Sequence, residues 1–115
     1  MRIEVSHGEL IDKITILEIK DERVKDVEKL KNIRHELNVL IKYEFETSHK
    51  QELKHVNNTL WDLEDGIRKL DRENDFGSKF IDMARNIYKV NDERSRIKKM
   101  INTEHGSDIV EEKSY

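Results

Sequence analysis

The chain has 115 residues, of which 41% are charged and 35% hydrophobic, and a formal net charge of −3. It contains no cysteine and no proline. These figures exclude disulfides, thiolate metal sites and a cysteine nucleophile, make the whole chain a poor electrostatic match for nucleic acid, and predict long helices joined by short turns.

No apolar run approaches the length of about 18 residues needed to cross a bilayer. No basic leader followed by an apolar stretch opens the chain. The expectation is a cytoplasmic protein without a membrane partner, forming one helical domain over residues 1–115.

Residues 1–6 read as a short extended arm, because Arg2 to Val5 alternates polar and apolar. Ser6-His7-Gly8-Glu9 then reads as a capping box. In it the Ser6 hydroxyl accepts from the Glu9 amide, and the Glu9 carboxylate reaches back to Ser6. The first helix is predicted over 7–24. Its apolar residues, Leu10, Ile11, Ile14, Ile16, Leu17 and Ile19, cover more than one stripe. A helix apolar on two sides is buried on two sides, so this helix is expected at the centre. Lys13 and Glu18 stand among these apolar positions. They point to a polar pocket between helices, with a solvated face as the plainer reading.

Asp26 is placed to cap a second helix over 27–44, whose Leu30, Ile33, Leu37 and Leu40 recur at helical steps. Residues 43–48 should hold a turn. Ser48-His49-Lys50-Gln51 reads as a second capping box opening a third helix over 49–72. Leu53, Val56, Leu60, Leu63, Ile67 and Leu70 form an unbroken heptad seam along it. Two such segments, 27–44 and 49–72, across a short turn predict a long antiparallel hairpin. Beside the seam runs a polar row, Asn57, Trp61, Glu64 and Arg68. Pairs at i,i+4, such as Glu64 with Arg68, are explained by helix stability alone. Trp61 lies just off the seam and is expected against helix 1, a partner chain or a ligand, with core or dimer contact preferred.

Asn74-Asp75-Phe76-Gly77 breaks the pattern, and Ser78 is expected to cap a fourth helix over 79–103. Its stripe is Met83, Ile87, Val90, Arg94, Ile97 and Ile101. An arginine on an apolar stripe needs a counter-charge, because a buried guanidinium is costly unless paired. It either anchors an anionic ligand or makes an internal ion pair or snorkels; the second reading weighs more. Gly106 is a helix stop, and 107–115 is a polar tail. Arg85 to Met100 holds six basic residues and two acids, whereas Glu104 to Tyr115 holds four acids and one lysine. The tail is therefore expected to dock back on the basic end of helix 4, which argues against nucleic-acid binding.

Metal chemistry finds little footing. A di-iron bundle needs two Glu-x-x-His motifs, and Glu52-Leu53-Lys54-His55 supplies one. Acid pairs at i,i+3, Glu9/Asp12, Glu18/Asp21 and Asp62/Asp65, are coincidences expected among 25 acids. No metal, cofactor or catalytic residue is assigned.

Three stretches, VSHGELIDKITILEIKDER (5–23), LWDLEDGIRKLD (60–71) and ARNIYKVNDERSRIKKMIN with the terminal VEEKSY (84–102, 110–115), resemble a small all-helical family of bacteria and tailed phages, a domain of unknown function. The resemblance implies a compact helical protein and relatives near sugar-transfer and envelope-polysaccharide genes. It brings no activity, cofactor or catalytic residue. Ile11-Asp12-Lys13-Ile14 with Arg23 also resembles the first helix of the all-helical chorismate mutases, which bind a dicarboxylate with arginines and a lysine. The later Lys…Asp…Arg-Glu spacing of those enzymes is not matched, and no C-terminal glutamine follows.

The chain thus reads as all-α, a bundle of about four amphipathic helices with a helical hairpin, an N-terminal arm and a polar tail. The leading functional expectation is a non-enzymatic protein-interaction module forming a homodimer. The alternatives are a binder of, or enzyme acting on, a small anionic metabolite (phosphorylated sugar, nucleotide or carboxylate), and a nucleic-acid-binding accessory protein. Candidate binding residues are Lys13, Glu18, Trp61, Glu64, Arg68, Asn91 and Arg94.

Overall fold

The computed structural model describes residues 1–113, and among them it holds four helices and no strand. They are α1 (His7–Arg23), α2 (Val27–Ile41), α3 (Lys50–Arg72) and α4 (Ser78–His105). Residues 1–6 precede α1 without regular structure. Ser114 and Tyr115, which belong to the expected tail and to the VEEKSY stretch, lie outside the described residues.

Helix α1 is the central element. It packs on α2, α3 and α4, whereas α2 packs on α1 alone. The two-sided apolar pattern explains this: Ile11, Ile14, Leu17 and Ile19 are all buried. The main core joins Ile11 of α1 to Leu53, Val56 and Leu60 of α3 and to Ile97 and Ile101 of α4.

The antiparallel hairpin differs from the expected one. It is formed by α3 and α4, with Glu52 beside Arg96 and Gly66 beside Met83. Helix α2 makes no packing contact with α3. The α3 seam is 23 residues long, and the 28-residue α4 can match it along its length where the 15-residue α2 cannot. Helix α2 also ends earlier than expected, at Ile41 rather than 44. Beyond the helix end the Phe45 ring packs 5.1 Å from His7 and 4.3 Å from His105.

The caps divide. Ser6 accepts from the Glu9 amide and Asp26 from the Lys29 amide, as expected. The Glu9 carboxylate does not close the box on Ser6; it goes to Lys98 Nζ at 2.8 Å. The second box does not form either: His49 stands at the cap of α3 without a side-chain bond, and Thr47 accepts from the His49 amide. Ser78 is already helical, with Gly77 at the cap. Helix α4 runs to His105, and Gly106 terminates it in the left-handed region at φ 63°, a conformation that glycine adopts without steric cost.

Candidate functional site

The site begins at the N-terminus of α1, where the helix comes unusually close to α4. A Cβ added to Gly8 would lie 2.4 Å from the Lys98 carbonyl oxygen. The Gly8 amide donates to Asn102 Oδ1 at 2.7 Å, which fixes the approach. One turn further, the same face of α1 delivers Asp12 into the space between α3 and α4.

Asp12 is 1% exposed. A buried carboxylate is tolerated when it is paired and fully hydrogen-bonded. Arg94 meets it in a fork, Nε to Oδ1 at 2.8 Å and Nη2 to Oδ2 at 2.5 Å. Asn57 Nδ2 donates to Asp12 Oδ1 and to Thr15 Oγ1, each at 3.0 Å. The Thr15 hydroxyl in turn donates to the Asp12 carbonyl at 2.8 Å. Lys98, whose side chain is 8% exposed, stands 4.0 Å from Asp12 and completes its own pairing on Glu9 at 2.8 Å and Glu111 at 3.4 Å. Among the described residues no buried side-chain polar atom lacks a partner. The hydrogen bond to Asp12 raises the Arg94 pKa against the burial that lowers it, and the charges of Asp12, Glu9 and Glu111 add to the rise. Arg94 is therefore held charged and in one orientation.

The arginine is not sealed in. Its side chain is 28% exposed, and it borders three cavities. A cavity of about 380 Å³ is walled by Lys20 of α1, by Trp61, Glu64 and Arg68 of α3, and by Asn91 and Arg94 of α4. A second, of about 420 Å³, lies under the tail and includes Glu9, Arg94, Lys98, Glu111 and Lys113. A third, of about 260 Å³, opens between α1 and α2 near Lys13 and Glu36. Trp61 also carries the Arg23 guanidinium over its ring at 5.6 Å, so it does cover α1. Arg23 is itself held by Asp62 at 2.7 Å and Asn58 at 3.1 Å.

Five of the seven residues singled out in the sequence, Trp61, Glu64, Arg68, Asn91 and Arg94, thus line one cavity. Lys13 is separate: it borders the smallest cavity with Arg94 and pairs with Glu36 of α2 at 3.2 Å. Glu18 does not join them. Six residues beyond Asp12, at about 100° each, turn it roughly 120° away around α1. There it accepts from Lys50 at 3.0 Å and stands 3.6 Å from Lys54. Burial lowers the Lys50 pKa, but hydrogen bonds to Glu44 and Glu18 outweigh it and the net shift is upward. The hydrogen bond to Glu22 likewise raises Lys54.

Asp12, Asn57 and Lys98 enter the sequence reading as members of an acid pair, a polar row and a basic segment, and not as candidate binding residues. Asp12 carried a usable signal: it sits beside Ile11 and one turn from Thr15 and Ile16, within the apolar run of the central helix. A buried acid on one stripe and an arginine on another are each costly alone and complementary together. The tail behaves as its charge predicts. Besides Glu111 on Lys98, Glu112 lies 2.7 Å from Lys99 and Lys113 3.8 Å from Asp92.

Among the described residues no group of three or more histidines, aspartates or glutamates is placed to hold a metal ion. No helix among them is long and apolar enough to cross a membrane. No curated protein and no solved structure is significantly similar to the chain. A family match spans all of residues 1–115, and the chain belongs to that family, a family of unknown function designated DUF6165.

Proposed function

We propose that the protein binds a small anionic ligand in the cavity between Trp61, Arg68, Asn91 and Arg94. The observation that carries this reading is Arg94 itself, oriented by a buried aspartate yet bordering open space. Of its five N–H donors, Asp12 takes two. A guanidinium held in place loses little freedom when a carboxylate or phosphate arrives, which favours binding. Lys20 and Arg68 add positive charge on the same walls, where Arg68 also pairs with Glu64 at 3.4 Å and Asp65 and Trp61 complete the lining. Glu64 supplies an acceptor suited to hydroxyl groups, so a hydroxylated anion such as a phosphorylated sugar fits the wall chemistry. The volume of about 380 Å³ falls in the ordinary range for small-molecule sites, about 300–1,000 Å³. Binding is proposed rather than a reaction, because the cavity walls bring together no nucleophile with a positioned base.

A thermal-shift screen with phosphorylated sugars, nucleotides and dicarboxylates tests the reading. One class should raise the melting temperature of the wild type. Arg68→Ala, which leaves the Asp12–Arg94 pair intact, should weaken that ligand about tenfold, as expected for a lost charge-assisted contact. No stabilisation by any of the three classes would sink the proposal.

A second reading, the interaction module and homodimer, draws on exposed apolar side chains. Phe76, Ile81 and Tyr88 are exposed at the free end of the hairpin, and Val27, Val39 and Ile41 on α2. Light scattering at low micromolar concentration checks it, and a mass of 13.8 kDa would remove the dimer. The nucleic-acid reading loses support, since Glu111 and Glu112 neutralise Lys98 and Lys99. A cytoplasmic protein of bacterial or phage origin remains part of this proposal, in keeping with the absence of cysteine.

A further inference from the structure

The cavity under the tail has an unusual wall. Arg94 and Lys98 form one side, and the chain's own Glu111 and Glu112 form the other. Glu111 touches Lys98 at 3.4 Å, and its charge also acts on Arg94. Glu112 takes Lys99 at 2.7 Å, and Lys113 ties the segment to Asp92 at 3.8 Å. Residues 109–113 form no helix or strand, and Ile109 and Val110 remain exposed. The Glu112–Lys99 pair is exposed, and exposed ion pairs are weak and screened by salt. A segment held mainly by carboxylates on cations is displaced most readily by another anion with the same demand.

The cavities of about 420 and 380 Å³ share Arg94 and Asn91. Anything that changes the charge facing Arg94 on the tail side also changes what it offers on the Trp61 side.

We infer that residues 109–113 are a displaceable strap, with the Glu111 carboxylate standing in the place of a phosphate or carboxylate ligand on Lys98 beside Arg94 and Glu112 tethering the strap to Lys99. The strap competes with anions for this cationic corner and so regulates the proposed site. This inference rests on that site reading. A ligand with two anionic groups, such as a diphosphate, spans the shared corner best: one group meets Arg94 from the Trp61 side, and the other replaces the Glu111 carboxylate on Lys98. The apparent affinity is reduced by the fraction of molecules with the strap closed.

Inorganic pyrophosphate is the probe, and the fluorescence of Trp61, the single tryptophan, is the readout. Glu111→Gln/Glu112→Gln in the full chain should bind pyrophosphate about fivefold more tightly than the wild type, as expected if the strap is open in about one molecule in five. The control Glu28→Gln/Glu73→Gln removes the same charge at exposed positions that line none of the three cavities and should leave affinity unchanged. In the wild type, pyrophosphate should also increase the mobility of residues 109–113 in amide NMR relaxation. Equal affinities for the strap variant and the wild type would overturn the strap and leave the site standing. So would equal gains in the strap variant and the control. No fluorescence or melting response to pyrophosphate in either protein, where phosphorylated sugars do respond, would overturn the strap alone. Silence toward every anion would overturn the site as well.

Discussion

The two halves of the α3–α4 hairpin carry the same kind of stripe and meet different surroundings. At the root, Leu53, Val56, Leu60, Ile97 and Ile101 are buried because α1 lies across them. Toward the free end Leu70 is buried, but Leu63, Ile67, Ile87 and Val90 are only half-buried, and residues 71–79 are all exposed. The free half is a two-helix pair with no third layer. Burial is set by the element that covers a stripe rather than by the stripe, and the cover comes from a helix distant in sequence. The root also holds the buried charges, and the candidate cavity reaches from them to Glu64 and Arg68 on the free half.

Substitutions should therefore divide sharply between the halves. Asp12→Ala leaves Arg94 and Lys98 without their buried partner and should cost about 3–5 kcal/mol, the range for breaking a buried ion pair from one side. Urea denaturation measures it, and a loss under about 1 kcal/mol would mean that the root does not depend on the pair. Gly8→Ala forces a methyl group to 2.4 Å from the Lys98 carbonyl and should cost about 1–3 kcal/mol by overpacking. At the free end, Tyr88→Ala removes an exposed ring and should change stability by no more than about 0.5 kcal/mol. A large loss there would show that something covers the tip in solution.

The remaining contrast lies on the far side of α1, where Glu18 joins Lys50 and Lys54. Both lysines are raised from their ordinary value of 10.5. A group raised on folding stabilises below its unfolded pKa and loses that contribution as pH rises through the folded one. The contribution should stay constant through neutral pH and fall only above about 10.5. Chemical denaturation at pH 8 and pH 11 checks the sign, and Glu18→Gln should reduce the alkaline loss. This is the smallest of the expected effects, because the pairs lie near the surface.

The helices themselves were legible. The apolar steps along residues 7–23 and 50–72 and the missing proline leave little choice, and the two-sided pattern of Ile11, Ile14, Leu17 and Ile19 correctly put α1 at the centre. The partner of α3 was not legible, because a heptad seam records that a helix packs and not against which neighbour. Caps were misread at Ser48 and Ser78, where small shifts in the helix start changed which side chain reaches the free amides. Arg94 stood out because a cation on an apolar stripe violates the pattern. Asp12 escaped because it was one acid among 25; burial distinguishes it, and burial is a tertiary property. Glu18 was grouped with the site by its neighbours along the chain, although helical geometry turns it toward Lys50.

The pairing of Asp12 with Arg94 carries both the fold and the proposed site. A double-mutant cycle with Asp12→Asn and Arg94→Gln, read by urea denaturation, measures their coupling free energy directly. A coupling of about 2 kcal/mol or more is predicted, toward the upper end for contacting residues. A coupling below about 0.5 kcal/mol, the level of independent sites, would contradict the account.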